Sequence, residues 1–435
     1  MTALRLLNSI HAPHHKNTAG KPIADMPLPS VVKISMSQNI GAPCRPLVSV
    51  GDAVKIGTVI GDSDAFLSVP VHASLSGTVK AIETRRNAAG GDETVVVIVS
   101  DGKGEWDDSL TPPVIHSHDD FIKAVRSSGL VGLGGAAFPT WVKQNPGKTI
   151  QTLIVNGAEC EPYITSDHRT MLEDADNVLD GTLAAARELG ADSIFLAIEE
   201  NKPDAILLYR ELIRKRQLTG ISVFTLKARY PKGAERVLIE EITGKPCPAG
   251  VLPASLGIIV GNVSSLAFLG HYLKDGRPLV TRTVTVDGDA IAEPKNVRLP
   301  IGTSLRDAAL FCGGYTGEVR KILMGGPMMG RAVYSDELSI LKNNNAILFF
   351  TEKEAALPAA SACIRCGRCH KACPFDLYPM LLTEAVDRKD IESLKGLDVM
   401  QCMECGSCSY VCPAHRPLAF SHKLGKILVK EAADS

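Results

Sequence analysis

Cysteine spacing constrains this chain more than any other feature of it. Eight of its twelve cysteines fall in two copies of one phrase, C-x2-C-x2-C-x3-C-P: Cys363, Cys366, Cys369 and Cys373 before Pro374, then Cys402, Cys405, Cys408 and Cys412 before Pro413. This is the thiolate spacing that holds [4Fe-4S] clusters, and the doubled run predicts two of them. The first three thiolates of each run share a tight loop and cap three irons, while the fourth, behind a helical turn and a proline, points back at the neighbouring cluster. Cys363, Cys366, Cys369 and Cys412 therefore form one ligand set, and Cys402, Cys405, Cys408 and Cys373 the other. Such a chain moves single electrons. Zinc fits poorly, because its sites bring ligand pairs separated by a longer spacer, whereas here four close thiolates with a trailing Cys-Pro recur at an offset of 39 residues. Disulfides fit less well still. No signal peptide opens the chain and thiol-rich loops persist in a reducing compartment, so a cytoplasmic location is expected.

A chain of 435 residues is too long for one core and predicts several domains. With 47 basic and 48 acidic side chains and no basic stripe interleaved with aromatics, nucleic acid is not an expected partner. Apolar runs such as Val95 to Val99 are far shorter than the roughly 18 residues that span a bilayer. Residues 1–28, rich in Pro, His and Lys, read as a surface arm, with His11, His14 and His15 close together but lacking partners at ligand spacing. Residues 29–112 carry short β-prone runs broken by glycines and resemble the lipoyl and biotinyl barrel-sandwich fold, without its carrier lysine: Val71-His72-Ala73 stands at that place. From 113 to 276 helix and strand alternate, which predicts a mostly parallel sheet with ligands at the carboxyl ends of its strands. In this stretch Asp119 and Asp120 cap a helix, and Met171 to Leu189 reads as one long amphipathic helix. Residues 277–340 form a small α+β module, and 341–435 a helical domain around the cysteines that ends in a solvated helix.

A second site is written between Gly132 and Pro162. The stretch Gly132-Leu133-Gly134-Gly135-Ala136-Ala137-Phe138-Pro139-Thr140-Trp141-Val142-Lys143 lacks the ending of a P-loop, and it follows a helix where a dinucleotide fingerprint follows a strand. Its physics still suits a phosphate. Successive small residues let backbone N–H groups approach an anion, Pro139 is placed to open a short helix facing the ligand, and Lys143 lies one turn on. Then Asn156-Gly157-Ala158-Glu159-Cys160-Glu161-Pro162 leaves the carboxyl end of a strand, presenting an amide and two carboxylates to a nucleotide. Either segment alone also reads as an ordinary turn.

Together the two segments are similar to the FMN and NADH site of the NADH-oxidising flavoprotein subunit of respiratory complex I. Along nearly its whole length the chain resembles the RnfC family, the members of the Rnf (Rsx) electron-transport complexes that join that flavoprotein domain to a ferredoxin-like tail. The likeness includes "IHAPHHK" at Ile10 to Lys16, "PLVSVGDAVKIGTVIG" at Pro46 to Gly61, "YPKGAE" at Tyr230 to Glu235, "VGNVSSL" at Val260 to Leu266 and "GGPMMG" at Gly325 to Gly330. The resemblance implies a multidomain α/β and α+β architecture: a barrel-sandwich module, an FMN-binding α/β domain, a β-grasp module of the soluble-ligand-binding type, and a helical dicluster domain. It implies that Gly132, Gly134, Gly135 and Lys143 hold FMN and that Asn156 and Asn262 bond the flavin or its ribityl phosphate. Glu159, Glu161, Tyr230 and Glu235 would stand on the side of NAD(H). It further implies a peripheral subunit on the cytoplasmic face of the inner membrane, in a ferredoxin:NAD oxidoreductase coupled to Na+ or H+ movement. Its partners there would include an iron-sulfur subunit that exchanges electrons with ferredoxin. A flavin joins the two halves of such chemistry, since a nicotinamide moves two electrons as hydride and each cluster moves one. No side chain is required as general acid or base.

The chain departs from the pattern at Ala137, where the motif reads Gly, and at Ala234, where the complex I relative has an acidic residue. A non-Gly residue at positive φ costs on the order of 1 kcal/mol. Two other readings use the same motifs: a cobalamin reductase of the propanediol-utilisation type, whose flavin motif is expected nearer the N-terminus, and a non-enzymatic iron-sulfur wire.

Overall fold

The computed structural model describes residues 7–434; the first six residues of the expected arm and Ser435 lie outside them. At the centre is a four-stranded parallel sheet of Thr152–Gly157, Ser193–Glu199, Ile221–Leu226 and Ile258–Asn262, ordered third, second, first, fourth. Its strands read as continuous apolar runs because both faces are covered. Leu153 and Val155 enter the core that holds Val178, Leu179 and Tyr209, while Ile154 enters the opposite core with Leu238 and Ile239. Helices Ala175–Leu189 and Val263–Asp275 cross closely, because a Cβ on Gly181 would lie 1.9 Å from the Leu266 carbonyl and one on Gly270 2.2 Å from that of Asn177.

Two local expectations are corrected. The helix His118–Ser127 is capped by Ser117, whose Oγ accepts from the Asp120 amide, and the two aspartates occupy its first turn, where carboxylates favour the helix dipole. The stretch read as one helix from Met171 is two, Ser166–Glu173 and Ala175–Leu189. Asp174 breaks them: its φ is −130° and its carboxylate accepts from Asn177 and His271.

Upstream, Val31–Ser35, Asp92–Ser100, Gly77–Arg86 and Ala53–Val54 form one antiparallel sheet, and Arg45–Pro46, Val59–Asp62 and Val71–His72 another. They enclose Ile34, Ile60, Leu75, Val79 and Ile98. His72, at the place of a carrier lysine, is buried, and burial pushes its pKa down to about 3.

The third module is a six-stranded sheet, and its composition crosses two expected boundaries. Ile23–Asp25, from the arm, pairs in parallel with Lys295–Pro300 at one edge, and Ala346–Phe350 lies inside the sheet beside Thr281–Asp287. Limits at residues 28 and 340 therefore cut through this sheet. The arm is not a loose surface segment: Leu7, Ile10 and Ala12 are buried in it. The C-terminal helix Leu418–Asp434 packs inward through Leu418, His422 and Val429, although Phe420 stays exposed. Among the described residues no helix is long and apolar enough to cross a membrane.

Candidate functional site

The crevice lies where strand order reverses. Thr152–Gly157 is flanked on one side by Ser193–Glu199 and on the other by Ile258–Asn262, so connections leave in opposite directions and open a cleft at the carboxyl ends. Asn156 and Asn262 are register partners there. Asn262 caps Val263–Asp275, its Oδ1 accepting from the amides of Ser264 and Ser265 at 3.0 and 3.3 Å, while its Nδ2 donates to Asp167 at 2.8 Å. Asn156 donates to the Gly233 carbonyl at 2.9 Å and accepts from the Ala158 amide at 3.1 Å, which fixes the turn after the strand.

Gly132 to Phe138 closes on itself over this crevice. The Gly132 amide donates to the Phe138 carbonyl at 2.8 Å, the Ala137 amide to that of Gly132 at 3.2 Å, and the Leu133 amide to Ser265 Oγ at 2.9 Å. The amides of Gly134, Gly135 and Ala136, at the exposed tip, have no acceptor among the described residues. Three consecutive donors beside the sheet's carboxyl edge fit a phosphate-bearing cofactor. Gly134 is required for the fit, since a Cβ there would stand 3.2–3.3 Å from Asn262. Pro139 opens Thr140–Gln144, a helix of only five residues, so the loop amides rather than a helix terminus supply the donors. Lys143 donates to the Val260 carbonyl at 3.0 Å and pairs with Glu235 at 3.3 Å. Glu235 begins Glu235–Thr243, and Ala234 holds its N-cap position without a side-chain cap.

The structure thus gathers Gly132, Gly134, Gly135, Lys143, Asn156, Glu235 and Asn262 around one crevice. Glu159, Glu161 and Tyr230 are turned to other contacts. Glu159 is buried and accepts from the amides of Asp167 and His168 at 2.7 and 3.4 Å; burial raises its pKa to about 7. Glu161 accepts from the amides of Met328 and Met329 at 3.0 and 2.9 Å, tying the flavin-type domain to the glycine-rich turn of the β-grasp module, and burial raises its pKa likewise to about 7. The Tyr230 hydroxyl donates to the Cys405 carbonyl at 2.6 Å.

Several residues of this site carry no sequence signal of their own. Lys16 donates from Nζ to the carbonyls of Glu159, Glu161 and Ile164 at 2.7, 2.9 and 2.5 Å, and burial lowers its pKa. It lies inside the "IHAPHHK" phrase, which was the available clue. Arg282 donates to the Leu133 carbonyl at 3.2 Å and Asn343 to that of Gly135 at 2.9 Å, both from the β-grasp side, so the loop is braced from two domains.

The thiolates surround two cavities. Cys363, Cys366, Cys369 and Cys412 line the first, with Ile364, Arg365 and Arg416; Cys373, Cys402, Cys405 and Cys408 line the second, with Phe375, Glu404 and His422. Each cavity takes three sulfurs from one run and the fourth from the other. The backbone repeats with the sequence: Arg365 and Glu404, Gly367 and Gly406, and Asp376 and His415 all hold positive φ, and the short helices Arg368–Lys371 and Ser407–Tyr410 correspond. Four thiolates around a cavity fit a cubane cluster. Among the described residues no three His, Cys, Asp or Glu side chains converge on a point to hold a single metal ion.

Models of known families match in the same order. The RnfC barrel sandwich hybrid domain matches residues 4–103, the Nuo51 FMN-binding domain 125–271, the SLBB domain 283–332 and the 4Fe-4S dicluster domain 362–415. The RnfC-type protein of the proton-translocating ferredoxin:NAD(+) oxidoreductase complex of Clostridium ljungdahlii is 42% identical over 383 residues, 86% of this chain and 82% of that protein. Its counterpart in the Na(+)-translocating complex of Acetobacterium woodii is 40% identical over 423 residues, 96% and 95% of the two chains. The counterpart in the ion-translocating oxidoreductase complex of Rhodobacter capsulatus is 37% identical over 435 residues, 98% and 83% of the two. A solved NAD+-reducing [NiFe]-hydrogenase in the H2-reduced state shares the fold, with TM-score 0.50 and 18% identity across 74% of this chain and 64% of that one. The chain belongs to the RnfC family of the ion-translocating ferredoxin:NAD oxidoreductase complexes.

Proposed function

We propose that this chain exchanges electrons between NAD(H) and one-electron carriers as a peripheral subunit of a ferredoxin:NAD oxidoreductase, on the cytoplasmic face of the inner membrane. Bound FMN and two [4Fe-4S] clusters supply the chemistry, the flavin exchanging hydride with the nicotinamide and the clusters carrying electrons singly. The residues hold and align these groups. The free amides of Gly134, Gly135 and Ala136 suit the flavin phosphate, and Asn262 keeps them at the crevice. Lys143 offers positive charge behind the loop, and its partner Glu235 stands at the open side, where the nicotinamide nucleotide would enter. Cys363, Cys366, Cys369 and Cys412 would hold one cluster, and Cys402, Cys405, Cys408 and Cys373 the other. Ion movement is named for the relatives' complexes and would be carried by other subunits.

One observation carries this reading: the flavin-type domain touches a thiolate loop directly. Tyr230 and Cys160 pack with Ile10, Met328, Met403, Ala372 and Cys405 in one apolar cluster, from which water is excluded, and the Tyr230 hydroxyl bonds the Cys405 carbonyl. A nucleotide site and a cluster site so joined serve one electron path. The test is anaerobic purification, acid release of flavin, and NADH oxidation with ferricyanide as acceptor. Stoichiometric FMN with NADH oxidation is expected; clusters without flavin or NADH oxidation would reduce the chain to an iron-sulfur wire.

A further inference from the structure

The two thiolate sets differ in what covers them. The second is enclosed: Cys405 and Cys408 are buried, Tyr230 bonds the loop, and Met328 of the β-grasp module lies 3.1 Å, through its carbonyl, from where a Cβ on Gly406 would stand. The first is open. Cys366 is exposed, Ile364 between two of its thiolates is 69% exposed, and Leu357 just upstream is 83% exposed.

Charge on this open rim has one sign. Arg365, Arg368 and Lys371 are exposed, and no acidic residue occurs in the sequence between Glu354 and Asp376. Arg416, which lines the same cavity, has an acidic neighbour only at 3.7 Å, Asp387. An apolar centre ringed by basic side chains, directly over a redox group, matches the interface that steers an acidic carrier to a productive orientation.

Resting on the function proposed above, we propose that the rim formed by Leu357, Ile364, Arg365, Arg368 and Lys371 is the docking face for an acidic iron-sulfur carrier protein. The set of Cys363, Cys366, Cys369 and Cys412 is then the port to that partner, and the enclosed set is the relay to the flavin site. In the NAD-reducing direction one electron leaves the carrier's reduced cluster and enters the cluster of the open set; no bond forms or breaks. An anionic membrane surface would also attract the basic residues, but lipid over Cys366 would insulate the port.

The probe is an acidic bacterial two-[4Fe-4S] ferredoxin, titrated into the full chain loaded with flavin and clusters. Calorimetry should give a Kd that weakens steeply as salt rises, because the charges are exposed. Arg368→Glu with Lys371→Glu should raise the low-salt Kd by at least about tenfold and flatten its salt dependence. Leu357→Glu, outside the ligand run, should weaken binding without loss of clusters, so the face remains testable if charge reversal disturbs cluster assembly. NADH should bleach the flavin equally in all variants. Binding indifferent to both salt and these substitutions overturns the proposal, as does capture by phosphatidylglycerol vesicles through the same residues with no ferredoxin binding. Wild-type flavin that NADH fails to bleach would overturn the proposed function instead, and calorimetry would still decide the docking face.

Discussion

Ala137 holds φ at 52°, the left-handed region that glycine occupies without strain. It is kept there by its neighbours: its amide donates to Gly132, its carbonyl accepts from the Ile40 amide at 3.0 Å, and its methyl is buried in the main core. Ala137→Gly should therefore leave the loop intact and raise stability by up to about 1 kcal/mol, whereas Ala137→Val should lower it by more than about 1 kcal/mol. Urea midpoints followed by tryptophan fluorescence read both, since Trp141 bonds the Ser68 carbonyl beside this loop. Lys342 gives a pH signature at the same junction. Its Nζ donates to the carbonyls of Pro70 and Gly129 at 2.7 and 2.8 Å, and burial lowers its pKa from 10.5 to about 7. Between those values the unfolded chain binds a proton that the folded chain does not. Stability should thus rise with pH from about 7 towards 10.5, with a slope of at most ~1.4 kcal/mol per pH unit. Lys342→Met should be less stable and lose that slope in the same denaturation series. Glycine spacing made the Gly132 to Phe138 loop legible in sequence. Nothing in the sequence could announce Arg282, Asn343 or Lys342 as its braces, because their bonds go to backbone carbonyls of segments far away in the chain.

At the scale of elements, local patterns were readable and non-local pairings were not. The strand Ile221–Leu226 follows its β-prone run residue for residue, and the 39-residue offset of the cysteine runs reappears as matched turns and short helices. The edge strand Ile23–Asp25 and the inner strand Ala346–Phe350 reach one sheet from opposite ends of the chain, a pairing set by tertiary packing rather than by composition. The segment from Ile10 to Lys16 is a strap for the same reason. Its backbone exchanges bonds with Tyr230, and Lys16 gathers three carbonyls of the turn after Thr152–Gly157. Lys16→Met leaves those carbonyls without their donor, each worth about 1–3 kcal/mol when unsatisfied and buried. The turn should loosen, and the KM for NADH should rise while flavin and cluster content persist; an unchanged KM would make the strap purely structural.

The whole molecule is an ordering of sites. A barrel-sandwich and a β-grasp module brace a parallel sheet whose crevice suits a flavin nucleotide, and the crevice's far wall is the enclosed thiolate set. Glu161 and Tyr230, expected beside the nicotinamide, instead couple this domain to Met328, Met329 and Cys405, so residues read from sequence as recognition groups serve as joints between cofactor sites. Sequence spacing could identify both ends of the path, but only packing could join them. Gly134 stands at the beginning of that path, against Asn262, and Gly134→Asp would put both bulk and negative charge where the phosphate is expected. The decisive measurement is an anaerobic NADH titration of wild type and Gly134→Asp, with flavin and clusters followed by visible and electron paramagnetic resonance spectra. In wild type, NADH should bleach the flavin and reduce the clusters; in Gly134→Asp, flavin should be missing and NADH should leave clusters oxidised that dithionite still reduces. Clusters reduced by NADH in flavin-free Gly134→Asp, or untouched by NADH in flavin-loaded wild type, would contradict the account.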